Sequence, residues 1–360
     1  MNIEKDLKKE GIEVIGKIDS LISNDIAKNI ARRIYETFPN YGLTEDFLFK
    51  KLANLTMYRA KMVEGMAEAN YYYKNTSIYF NEHIEFEDLE EFAVHECIHY
   101  LQEIKDEKNN LLKMGLCNYS NNNPIGLGLN EAATQYTASH IIGIEPDYEK
   151  YYGISLNTPS PSYYPLECAL LNEITYFVGE DVLYKSSLFS TDEFKNAVVE
   201  MTSEKTYLKL QKLFDEIINI EENVIKLNNK IALFEDGSYK IDKIIIKINK
   251  QKNKIAHKFI ETQNTIIKEF FDNEFSRITN LEELDILRHR LYKFSSIIGS
   301  IENYKFFDNY YVEMMNKLEH KCNILENGGI ETALSKEKHN KFTEFFRKLL
   351  SWAIKNGELN

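Results

Sequence analysis

The strongest constraint on what this chain can fold into lies in its second half. Leu210, Leu213, Ile217, Ile220, Val224, Leu227, Ile231 and Phe234 fall at alternating steps of three and four, the spacing that lines one face of an α-helix. "EDGS" at Glu235 to Ser238 breaks the run. A second series follows at Ile241, Ile245, Ile248, Ile255, Phe259, Ile266 and Phe270, interrupted by Lys252 and Thr262. No proline occurs after residue 200, so the residue that most disrupts long helices is absent there. The pattern predicts two helices, each roughly 40 Å long at 1.5 Å rise per residue, folded back through a glycine-containing turn. Segments 281–302 and 304–325 also read as helices. Such a hairpin either closes an intramolecular bundle or offers residues 203–275 to a second copy or a protein partner.

The first half reads differently. "SNDIAKNIARRIYETFP" predicts a helix capped by Ser23 or Asn24, with Pro39 beyond its end. "LTEDFLFKKLANL" follows, capped by Thr44. "TMYRAKM" and "NYYYKNTSIYFNE" are rich in aromatic and β-branched residues, which predicts two or three antiparallel strands with a turn at Lys74–Asn75. "CNYSNNNPIGLG" reads as a polar loop, "LNEAATQYTASHII" as a helix, and "GIEPDYEKYYGISLNTPSPSYYP" as a long loop. Pro165 suits the first turn of a helix over "PLECALLNEITYFVGEDVL". The expected division is an α+β region over residues 1–200 and an all-α bundle over 201–360.

At 360 residues the chain is long enough for one large domain or two of ordinary size. Its 44 basic and 56 acidic residues leave a net charge of -12, which argues against nucleic acid as the main partner. No apolar run reaches membrane-spanning length, and "MNIEKDLKKEGIEVIGK" lacks the apolar segment of a signal peptide. Cys97, Cys117, Cys168 and Cys322 are scattered, with no CxxC pair. That usage fits a reducing compartment, and the expected location is cytoplasmic.

The chemistry concentrates in "EEFAVHECIHYLQE", Glu90 to Glu103, which holds two of the eight histidines. His95 and His99 stand four apart, so on a helix both imidazoles leave one face and can grip a single ion. Glu96 can reach a water on that ion without occupying a coordination site. Zinc lowers the pKa of such a water, and the carboxylate takes its proton. His-Glu-x-x-His therefore predicts one Zn2+ ion and a hydrolytic site. Cys97, two residues from His95, points off the metal face and reads as a small core residue.

A third protein ligand is required. A downstream histidine in the metzincin pattern is excluded, because Lys105 and Gln102 occupy the positions concerned. No cysteine precedes the motif, which excludes the peptide deformylase arrangement. A carboxylate from a later helix remains. Glu131 in "GLNEAATQYTASH" is the best placed, since Ala132, Ala133 and Thr134 permit close packing against the motif helix. Glu167, Glu173 and His140 are the alternatives.

Over roughly residues 50 to 185 the chain resembles the gluzincin branch of the zinc metallopeptidases: a strand, the His95-Glu96-Cys97-Ile98-His99 helix, then a second helix with Asn130-Glu131. The resemblance implies a zincin-like catalytic region, a small antiparallel sheet packed on the motif helix. It implies His95, His99 and Glu131 as zinc ligands, Glu96 as general base, and a peptide or protein substrate. Gln135 departs from the pattern, standing where many relatives carry an acid that orients a zinc-bound histidine. Such enzymes hold an extended peptide along an edge strand, and "TSIYFNE" reads equally as that edge or as an ordinary strand of the sheet. Tyr136, Tyr163 and Tyr164 are candidate donors to the oxyanion, with Tyr163 and Tyr164 favoured by their place in a proline-rich loop. The expected function is peptide-bond hydrolysis. Two rivals are a catalytically silent scaffold whose hairpin binds a partner, and a metal-free helical protein in which the motif is coincidental.

Overall fold

In the computed structural model, which describes residues 3–63, 67–120, 123–231, 239–301 and 305–326, aromatic and β-branched segments build the sheet beside the site. The chain begins with α1 (Ile3–Lys9) and β1 (Ile12–Lys17), then α2 (Ser20–Thr37), α3 (Glu45–Leu52) and β2 (Thr56–Met62). The helix expected to start at Ser23 or Asn24 begins earlier, because the Asp19 carboxylate accepts from the Leu21 N–H at 2.7 Å. Thr44 caps α3 as expected, its hydroxyl oxygen accepting from Phe47 N–H.

Next come β3 (Ala69–Tyr72) and β4 (Ser77–Asn81). The four strands form one sheet in the order β1-β2-β4-β3. This sheet is mixed, not antiparallel as the sequence led us to expect: β2 and β4 run parallel, Thr56 beside Ser77 through Ala60 beside Asn81. The short turn at Lys74–Asn75 makes β3 the antiparallel partner of β4. Placing β4 beside β2 then leaves β3 as the edge. Consequently "TSIYFNE" is interior, with all five β4 residues buried, and Ala69–Tyr72 is the edge strand, its residues buried or half-buried. Leu7, Ile12, Ala60, Met62, Tyr72 and Tyr79 pack into one cluster around this sheet.

The motif helix α4 (Leu89–Leu101) follows and packs on β3 and β4. Its acidic first turn complements the helix dipole, and Glu90 is held by Arg33 Nε at 2.9 Å. At the other end Lys51 Nζ donates to the Leu101 carbonyl at 3.0 Å. The expected polar loop is instead part of a second sheet, β5 (Glu103–Lys105), β6 (Leu111–Met114), β7 (Cys117–Ser120) and β8 (Asn123–Ile125). Its strands are three or four residues long, too short to print a period-two pattern.

Helix α5 (Leu127–Ile142) lies at the centre, packed by α4 and by later helices. Its interior is almost wholly buried, Ala132, Ala133, Thr134, Thr137, Ala138 and Ser139 included. Small side chains all round are what let several neighbours approach one helix. The second expected loop is a hairpin, β9 (Asp147–Tyr151) and β10 (Ile154–Thr158), turning at Tyr152–Gly153, where Gly153 has φ +84°.

Helices α6 (Pro165–Val178), α7 (Glu180–Phe189), α8 (Glu193–Met201), α9 (Glu204–Ile231) and α10 (Tyr239–Arg277) complete the main helical part. Pro165 occupies the first turn of α6 as expected. The expected "EDGS" turn lies outside the described residues. After α11 (Leu281–Phe294), β11 (Ser300–Ile301) pairs with β10, and α12 (Phe306–Glu326) follows. Helix α11 therefore ends before the 302 that its periodicity implied.

Backbone contacts divide the described residues into two compact units, one within Met1–Glu269 and Gly299–Glu302, the other within Phe270–Ile298 and Asn303–Asn360. The expected boundary at residue 200 falls inside the first unit, which includes α9 and most of α10. In the second unit Phe271 meets Phe294 edge to face, at 5.2 Å between ring centres. The protein is thus mixed α+β, with twelve α-helices and small sheets among the described residues. No helix among them is long and apolar enough to cross a membrane.

Candidate metal centre

Helical spacing alone sends His95 and His99 to the same side of α4. Long-range packing brings α5 against that side, and Glu131 sits in its second turn. The result is one compact triangle. His95 Nε2 lies 2.9 Å from His99 Nε2, and Glu131 Oε2 lies 3.3 Å from the first and 3.4 Å from the second. Tetrahedral ligand atoms about 2.0–2.1 Å from a zinc-sized ion stand about 3.3 Å apart, so the spacing fits a shared centre.

The far nitrogen of each ring decides what the near one offers. His95 Nδ1 is 2.9 Å from Gln135 Oε1, and His99 Nδ1 is 3.3 Å from Gln102 Oε1. The amides cannot readily flip. Gln135 Nε2 donates to Ser160 Oγ at 3.0 Å, and that hydroxyl spends its own hydrogen on the Tyr163 carbonyl at 2.6 Å. Gln102 Nε2 donates to Thr134 Oγ1 at 3.0 Å and Ser187 Oγ at 3.1 Å. With amide oxygens facing them, both Nδ1 atoms can donate, which turns both Nε2 atoms inward beside a carboxylate oxygen. Three such atoms approach this closely when a positive charge lies among them, supplied by a metal ion or by a proton that an imidazole shares with Glu131. The donor set therefore fits a metal ion, and these three residues could hold one.

Electrostatics agree. Burial pushes the His99 pKa down, but the adjoining Glu131 carboxylate outweighs it and lifts the value to about 9. Burial works to raise the pKa of Glu131, yet His99 and His95 hold that carboxyl well below its usual range. The pocket favours positive charge at its centre.

Glu96 is 8 % exposed and its Oε2 accepts from the Tyr71 backbone N–H at 2.7 Å. This bond comes from the outer side of β3. Asn81 N–H donates to the Glu68 carbonyl at 2.9 Å, so positions 68, 70 and 72 turn toward β4, while 69 and 71 turn their backbone groups outward. The motif carboxylate is thus tied to the sheet edge.

A cleft of about 260 Å³ opens over these groups and is lined by His95, Glu96, His99, Glu131, Tyr163 and Tyr164 among others. The Tyr164 ring stacks near that of His95, with centres 6.0 Å apart and planes 21° apart. Tyr164 takes φ +49° immediately before Pro165, a left-handed conformation uncommon in non-glycine residues. Burial raises its pKa well above the ordinary tyrosine value, so it remains a hydroxyl donor. Tyr163 meets Phe92 edge to face at 6.2 Å, and burial raises its pKa to about 12.

The remaining candidates lie elsewhere. Tyr136 donates to Glu180 at 2.6 Å and does not line the cleft. Glu173 is fully buried and accepts from Gln263 Nε2 at 2.8 Å. Glu167 is buried near Glu221 of α9, and burial raises the pKa of both. His140 stacks on Tyr184 at 4.8 Å. Cys97 is buried as expected. The sequence marks Gln135 as the residue at the orienting position, and the structure puts it there, against His95; the Gln102 amide was missed, and its place one helical turn beyond His99 is the signal that finds it. Sequence reasoning also missed Ile218 and Glu222 of α9, which line the cleft; nothing local marks those.

No family model, no curated protein and no solved structure matches this chain.

Proposed function

We propose that this protein is a zinc-dependent metallopeptidase of gluzincin type, with His95, His99 and Glu131 as the ligands of one ion and Glu96 as general base. The observation that carries the reading is the triangle of His95 Nε2, His99 Nε2 and Glu131 Oε2, with an amide oxygen against the far nitrogen of each imidazole. A zinc ion bound there would supply Lewis acidity, lowering the pKa of a water and polarising a carbonyl.

The chain's own groups account for the rest. Glu96 keeps one oxygen on the Tyr71 N–H, leaving the other to accept the water proton and pass it to the departing amine. The outward backbone groups of Ala69 and the Tyr71 carbonyl can pair with an extended peptide, as an added strand at the β3 edge. Tyr163 and Tyr164 line the cleft as hydroxyl donors for the oxygen that gains charge.

The test measures metal content of purified wild-type protein beside Glu131→Ala, together with hydrolysis of an unbiased peptide library. Stoichiometric zinc in the first, its loss in the second and cleavage by the first are expected. Wild-type protein that stays free of zinc after reconstitution would overturn the reading.

A further inference from the structure

Helix α9 belongs to the part of the chain that its periodicity sets apart as bundle, yet it forms a wall of the cleft. Its register against α5 is closely determined. A Cβ on Gly128 would lie 2.5 Å from the Phe214 backbone, so the two helices touch main chain to main chain there. One residue on, the Asp215 carboxylate accepts from the N–H groups of Gly128 at 2.7 Å and Gly126 at 3.0 Å, capping α5. Glu131 stands one turn beyond Gly128. The same contacts that place the ligand therefore place Ile218 and Glu222, which stand four apart on α9 and both line the cleft.

The lining has a one-sided chemistry. Leu127 and Ile142, at opposite ends of α5, line it together with Ile144 and Ile218, and Glu68, Glu91 and Glu222 add carboxylates beyond Glu96 and Glu131. No Lys or Arg occurs among its described lining residues, and Glu68 Oε2 lies 2.8 Å from His83 Nε2. Glu222 does hold Lys226 at 2.9 Å, but this is an exposed pair one turn apart on a helix, and such pairs are weak enough for a ligand cation to replace. Tyr163 registers the same field, its pKa raised first by burial and then by Glu68 and Glu91.

We infer that the cleft selects peptides in which an apolar side chain, resting on Ile142, Ile144 and Ile218, is accompanied by Lys or Arg directed at the carboxylates of Glu68, Glu91 and Glu222. This substrate class rests on the peptidase reading above. A cationic side chain in the cleft gains from the carboxylates that line it, and an acidic one is repelled by them. Because those carboxylates are partly open to solvent, salt must weaken the preference.

The test uses full-length, zinc-loaded protein and quenched peptides identical except for one residue, Lys, Gln or Glu, beside a fixed Leu. Turnover, as kcat/KM, should favour Lys over Glu by about tenfold at low salt and less at high salt. Glu222→Lys and Glu91→Gln should each narrow the ratio by about threefold. Anisotropy of the same labelled peptides on zinc-loaded Glu96→Gln protein reads recognition without hydrolysis. Equal handling of Lys and Glu peptides, or a ratio that neither variant changes, overturns the inference and leaves the peptidase reading intact. Binding that favours Lys by about tenfold without cleavage by wild type keeps the recognition and removes the peptidase reading. Zinc-loaded protein that neither cleaves nor binds the series overturns both.

Discussion

Gln135 Oε1 lies 2.9 Å from Nδ1 of His95, with its amide nitrogen tied to Ser139 and Ser160. An uncharged amide thus occupies the place where the gluzincin resemblance led us to expect an acid. The exchange preserves the tautomer, because any oxygen acceptor requires hydrogen on Nδ1. It withholds the extra negative charge a carboxylate would bring to the imidazole.

Gln135→Ala should weaken zinc affinity by about 10–100-fold, the usual cost of removing a partner behind a ligating histidine. Competition with a calibrated chelator measures it. Gln135→Glu should hold zinc at least as tightly as wild type. Equal affinity in all three proteins would show that the amide orients nothing.

Glu96→Gln should retain zinc and lose about 10²–10⁴-fold in peptide hydrolysis, the range for removal of a general base. The Gln side chain can still accept from Tyr71 N–H through its oxygen, so the loss reports proton transfer and not a displaced strand. Metal analysis beside single-turnover assays separates the two effects. Near-parental turnover would remove Glu96 from the mechanism.

Gly128→Ala places a methyl group 2.5 Å from the Phe214 backbone, where no flexible side chain can yield. Overpacking of this kind costs about 1–3 kcal/mol. Urea unfolding should show the lost stability. Zinc affinity should fall with it, because Glu131 rides on the helix that must shift. Unchanged stability would mean that α5 and α9 do not meet as tightly as described.

Glu173 is fully buried, and burial raises its pKa to about 8 against hydrogen bonds that act the other way. The folded state therefore binds this proton more tightly than the unfolded chain, whose glutamate titrates near 4.5. The stabilising contribution is complete below that lower value and is lost as pH rises to about 8, at about 1.4 kcal/mol per pH unit for one proton. Glu173→Gln mimics the protonated carboxyl and should remove this loss. Urea midpoints at mildly acidic and mildly alkaline pH decide the matter, since parallel changes in both proteins would exclude Glu173 as the source.

Much of this molecule can be read without coordinates. The spacing of His95 and His99 and the position of Glu96 follow from the repeat of an α-helix, and the aromatic and β-branched runs mark β2, β3 and β4. Glu131 could be chosen because small residues beside it announce a helix made for close packing. The strands β7 to β9 escaped notice because they are short or run through polar segments, where alternation leaves no trace, while Ile154 and Leu156 of β10 do alternate with polar residues but over only five positions.

The amino-acid sequence by itself determined the two imidazoles, the carboxylate between them and the helical character of residues 204–231 and 239–277. Only the tertiary structure decided which later carboxylate joins the imidazoles, that β4 is interior and β3 the edge, that Gln102 and Gln135 hold the rings, and that α9 walls the cleft. The physical reason is range. Periodicity records which face of an element is buried, over a few residues at a time. The partner of that face is chosen by packing between segments far apart in the chain, such as Gly128 against Phe214, and no local pattern encodes that choice.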